Sequence, residues 1–66
     1  MIRVTRAEID AGARVAYTAY PGATPEFGTI TSTNHQFVFV RYDGDNGSKA
    51  TRREDLHWAA EAEGKR

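Results

Sequence analysis

The run Phe37-Val38-Phe39-Val40-Arg41-Tyr42 constrains this chain more than any other feature. All but one of its residues are β-branched or aromatic, the types that fit a pleated, half-buried surface. It reads as a strand. Alternation puts Val38, Val40 and Tyr42 on one face and Phe37, Phe39 and Arg41 on the other. Large apolar groups on both faces need either partial cover on each side or a strongly bent small sheet. The remaining residues are too few to build a second layer. The chain has 66 residues, and its 26 apolar residues include ten alanines, which leaves sixteen larger ones. That length makes one domain. A domain this small buries only about 60% of the surface it exposes when unfolded. A deep cavity for a sizeable cofactor would consume most of such a core, which speaks against an enzyme for large substrates.

The segments around this run are short and clearly punctuated. Thr5-Arg6-Ala7-Glu8 matches a capping box, and Gly12 supplies a stop, so a short helix is predicted over about 6–11. So short a helix needs Ile9 packed on something. Arg14-Val15-Ala16-Tyr17 reads as a first strand, with Val15 and Tyr17 on one face and Arg14 and Ala16 on the other. Residues 18–26 carry two prolines and a glycine and form a loop, with Pro21-Gly22 suited to the centre of a type II turn. A second strand runs from Phe27 to Thr33, and Asn34-His35 marks a turn. Asp43-Gly44-Asp45-Asn46-Gly47 is a further turn. Ser48–Thr51 reads as a fourth strand, Arg52–Asp55 as a 3-10 turn, and Leu56–Trp58 as a last strand. The expected fold is mainly β, with five short strands closing into a small barrel over residues 1–58. Val15, Ile30, Val38, Val40, Ala50 and Leu56 would fill it. The tail, residues 59–66, favours helix but lacks a large apolar anchor and is expected to fray.

A resemblance supports this reading. Gly12-Ala13-Arg14-Val15-Ala16-Tyr17, Glu26-Phe27-Gly28-Thr29-Ile30, the Phe37–Tyr42 run, Ser48-Lys49-Ala50-Thr51 and Asp55-Leu56 carry it. In combination they resemble small phage- and prophage-encoded proteins of the SH3-like barrel type, over roughly residues 12–57. Tudor and KOW domains look similar at the level of fold and of the Gly-x-x-Val opening. The resemblance implies a five-stranded SH3-like barrel of mobile-element origin in the cytoplasm of a bacterial host. It implies no catalytic residues, because most such proteins have no assigned activity. Fold analogy alone does not give function.

The residues that could carry chemistry are sparse. There is no cysteine, so disulfides, thiolate nucleophiles and Cys-type zinc sites are excluded, and an intracellular setting is expected. No apolar run is long enough to span a membrane, and Met1–Arg6 is not followed by the apolar stretch of a signal peptide. His35 and His57 are the only side chains that ordinarily titrate near neutrality. Neither Ser32 nor Ser48 sits in a nucleophile-elbow motif. Asp43-Gly44-Asp45-Asn46 starts like a calcium loop, but its sixth position is Ser48 and Lys49, Arg52 and Arg53 place positive charge inside it. No catalytic residue, metal or cofactor is therefore expected.

Two binding surfaces remain. The five aromatics Tyr17, Tyr20, Phe27, Tyr42 and Trp58 exceed what so small a core can hide. Aromatics with arginine are the types enriched at interface hot spots. The first expectation is a non-enzymatic module that binds a host or phage protein through Tyr20, Phe39, Arg41 and Trp58, as a monomer or weak homo-oligomer. The second rests on charge. Nine basic and nine acidic residues cancel, yet residues 35–53 hold four cations against two carboxylates. Arg41, Lys49, Arg52 and Arg53 could thus serve a nucleic-acid-binding face, with Phe37 and Phe39 stacking on bases. The balanced total weighs against strong non-specific nucleic-acid binding.

Overall fold

The computed structural model describes residues 2–64. Helix α1 (Arg6–Ala11) is followed by strands β1 (Arg14–Tyr17), β2 (Glu26–Thr33), β3 (Phe37–Tyr42) and β4 (Lys49–Arg52). A 3-10 turn (Arg53–Asp55), strand β5 (Leu56–Trp58) and helix α2 (Ala59–Gly64) complete the described chain. Local chemistry explains the first element. The Thr5 amide donates to the Glu8 carboxylate at 2.7 Å and the Thr5 hydroxyl bonds to the same oxygen, which holds the Glu8 carboxyl below its ordinary range. Gly12 then adopts φ 64°, a left-handed conformation that costs glycine little. Ile9 packs against the core, as so short a helix requires.

The strands form one antiparallel sheet in the order β4-β3-β2-β1-β5. β1 to β4 form a meander, and β5 returns to the free edge of β1. The sheet is open, which corrects the expectation of a closed barrel: among the described residues β4 and β5 do not pair. They are joined by Arg53-Glu54-Asp55, one 3-10 turn without the glycine or asparagine of a tight reversal, so the chain does not fold back as a hairpin. Instead the turn carries it to β1, where the Thr18 amide donates to the Asp55 carbonyl at 3.3 Å.

One face of the sheet holds the core. Val15, Val38, Val40 and Leu56 are fully buried and Ile30 is 1% exposed. Ile2, ahead of the predicted elements, also joins this cluster. Ala50 does not, contrary to expectation. It lies opposite Phe39 on the outer face and is exposed, while its neighbour Thr51 lies opposite Val38 and turns inward. Register decides this, because side chains alternate with a period of two. Ala16 lies on the Arg14 face, as alternation requires, yet it is fully buried because α2 packs against β1. Ala59 at the start of α2 is buried too. Residues 59–64 thus form a helix rather than the frayed tail expected. Alanine is the best helix former, and packing on β1 and β5 offsets the lack of a large anchor. Lys65 and Arg66, also expected to fray, lie outside the described residues.

Candidate groove between Tyr17 and Tyr42

The residues expected to make one contact surface are dispersed. Tyr20 is 67% exposed and opens the turn in which the Ala23 amide donates to the Tyr20 carbonyl at 3.0 Å, with Gly22 at φ 88°. Phe39 and Arg41 are next neighbours on the outer face of β3. Trp58 lies opposite Val15 and packs on the core cluster, on the inner face and three strands away from β3. So Phe39 and Arg41 share a surface with each other and not with Trp58.

The cations are also divided. Lys49 pairs with Asp45 at 3.3 Å, and Arg52 pairs with Asp55 at 3.4 Å and Glu54 at 3.8 Å. Arg53 is engaged by the backbone. Its guanidinium donates to the Thr33 hydroxyl at 2.9 Å and to the carbonyls of Asn34 and His35, pinning the β2–β3 turn to the 3-10 turn. Arg41 is exposed and makes no ion pair among the described residues. The four therefore do not form a run of uncommitted positive charge. A fifth cation is structural as well. Arg14 makes a double hydrogen bond to Asp43 at 2.6 and 2.7 Å, tying β1 to the β3–β4 turn across β2, and holds the Asp43 carboxyl below its ordinary range.

The described residues also form a concave feature. It is a groove of about 410 Å³ whose walls include Tyr17, Glu26, Tyr42, Asp45, Thr51 and Asp55. That volume is within the span of ordinary ligand sites, roughly 300–1,000 Å³. Its position follows from the register. Tyr42 lies opposite Gly28 on β2, and Gly28 lies opposite Val15 on β1. With no side chain at position 28, the Tyr42 ring reaches across β2 to the Tyr17 ring. Their centroids are 6.1 Å apart and their planes stand at 69°. This edge-to-face geometry suits the ring quadrupoles and makes a corner with one ring face on each side. The Tyr42 hydroxyl is fixed by a 2.7 Å hydrogen bond with the Thr51 hydroxyl.

The electrostatics of the groove are asymmetric. Burial pushes the Tyr42 phenol up, and the nearby Tyr17, Glu26 and Asp55 add to the rise while the Thr51 hydrogen bond opposes it. Lys49 and Arg52 also line the groove, but each is already paired with one of its carboxylates. Glu26, directly opposite Tyr17, makes no ion pair among the described residues. Among the described residues no three His, Cys, Asp or Glu side chains are placed to hold a metal ion.

Residue types alone had flagged Tyr17 and Tyr42 as surplus aromatics. Nothing in the sequence groups Glu26, Asp45 and Asp55 with these rings, because they come from β2, the β3–β4 turn and the 3-10 turn. His35 and His57 are both exposed, in the β2–β3 turn and on β5 respectively. No helix among the described residues is long and apolar enough to cross a membrane. Comparison with protein-family models, curated proteins and solved structures found no match.

Proposed function

We propose that the chain is a small non-enzymatic binding module that recognises a segment of another protein in the Tyr17–Tyr42 groove. The observation that carries this reading is the pair of tyrosine rings standing at 69° in an open, carboxylate-lined groove. Aromatic side chains left accessible in a concave site give large contact area at low entropic cost, which is how binding surfaces are built. An SH3-like arrangement of the strands, with the sheet left open between β4 and β5, belongs to this proposal. The return of β5 to β1 after a 3-10 turn supports it. The resemblance to phage and prophage proteins supports it too, and with it goes the proposal of a host or phage protein as partner in a bacterial cytoplasm.

The nucleic-acid reading is the weaker of the two, because Lys49, Arg52 and Arg53 are committed to internal partners. Affinity capture from bacterial lysate separates them. Wild-type protein is expected to retain a protein partner after nuclease treatment. Glu26→Trp, which fills the groove from an exposed position, is expected to lose that partner, and Arg41→Glu on the outer face to keep it. Capture that disappears with nuclease, or that Glu26→Trp leaves intact, would overturn the proposal.

A further inference from the structure

The groove also carries information about its occupant. Three carboxylates line it, those of Glu26, Asp45 and Asp55, against two cations, Lys49 and Arg52. Both cations are spent on Asp45 and Asp55. The uncompensated charge is therefore negative and is centred on Glu26. In the β1–β2 register Glu26 stands directly opposite Tyr17. Directly opposed residues in an antiparallel pair have their Cβ atoms about 5 Å apart. One carboxylate without an ion pair thus borders the corner made by the two rings.

We infer that this corner takes the guanidinium of an arginine carried on an extended segment of the partner protein. The inference rests on the groove being the binding site. A planar guanidinium can lie on a tyrosine face while its edge N–H groups donate to a carboxylate. An ammonium has no such plane and is more strongly hydrated, so arginine fits this site better than lysine. Cation–π attraction acts within about 6 Å of a ring centroid. The two centroids, 6.1 Å apart, put one guanidinium within reach of both. The groove is also larger than one side chain needs, which leaves room for flanking backbone. A phosphate in the same place would meet Glu26, Asp45 and Asp55, so a nucleic-acid strand is disfavoured there.

The test is to pan a random heptapeptide library displayed on phage against the full chain, and to map each selected peptide by amide chemical shifts. Groove-binding peptides are expected to share an arginine. Replacing that arginine by citrulline, its neutral isostere, is expected to weaken binding about tenfold or more, and Glu26→Gln is expected to do the same to the parent peptide. Selected peptides that shift Tyr17, Glu26 and Tyr42 without needing an arginine would overturn this inference and leave the groove as a protein-binding site. Peptides that bind equally well with arginine or citrulline would also overturn it. Failure of every selected peptide to shift the groove residues would overturn both.

Discussion

Leu56→Ala is expected to leave the chain largely unfolded at 25 °C. Leu56 is the only leucine in the sequence, is fully buried, and belongs to the apolar cluster of the sheet. It also sits at a junction. The 3-10 turn ends directly on it, and it lies opposite Tyr17 in the β1–β5 pairing. Truncating a buried leucine costs about 2–5 kcal/mol, the sum of lost transfer free energy and the cavity left behind. A domain of this size rarely has more than about 3–5 kcal/mol in total. The cost is therefore comparable with the whole stability. Leu56→Met keeps most of the volume and is expected to cost less than about 1.5 kcal/mol. Thermal unfolding followed by circular dichroism measures both. A melting temperature for Leu56→Ala within a few degrees of wild type would mean that β5 is not needed for the fold.

Gly28→Ala is expected to cost about 1–3 kcal/mol, through overpacking rather than through backbone conformation. A Cβ at position 28 would lie 2.6 Å from Val40 Cγ1, 2.8 Å from the Arg41 carbonyl oxygen and 3.0 Å from Tyr42 Cα. Two of these three atoms are backbone of β3 and can move only if the β2–β3 pairing opens. The Val40 methyl has little room either, because Val40 is fully buried. Because one of these atoms is the Tyr42 Cα, the groove should distort with the sheet. Gly47 is the natural control. It has no positive φ and nothing within 4 Å of an added Cβ, so Gly47→Ala is expected to stay within about 0.5 kcal/mol of wild type. Urea midpoints measure the contrast, and equal midpoints for the two variants would contradict the β2–β3 register.

These two residues mark how far the sequence could be read. Phe37–Tyr42 alternated as its composition required, with valines in and phenylalanines and arginine toward the other face. Thr5, Glu8 and Gly12 defined α1 by local hydrogen bonding and backbone freedom alone, so its limits were legible. Errors arose where distant pairing overrode local pattern. Ala50 is more apolar than Thr51 and was expected inside, but the register set by the β3–β4 turn reversed them. The alanine-rich tail favours helix locally, but that Ala59 finds cover on β1 and β5 is something no local signal reports. Closure was expected from the need to hide edges. The open edge at β4 is instead short and carries Lys49 and Arg52, charges that discourage edge-to-edge pairing. The groove was the least legible feature. Its two rings come from β1 and β3, and they meet because glycine occupies the position between them on β2.

The most direct measurement of where this protein works is amide chemical-shift mapping of the captured partner, or of its binding segment, on the isotopically labelled chain. The account expects the largest shifts at Tyr17, Glu26, Tyr42, Thr51 and Asp55, around the tyrosine corner. Shifts confined to Phe37, Phe39 and Arg41, with Tyr17 and Tyr42 unmoved, would show that the opposite face of the sheet is the working surface.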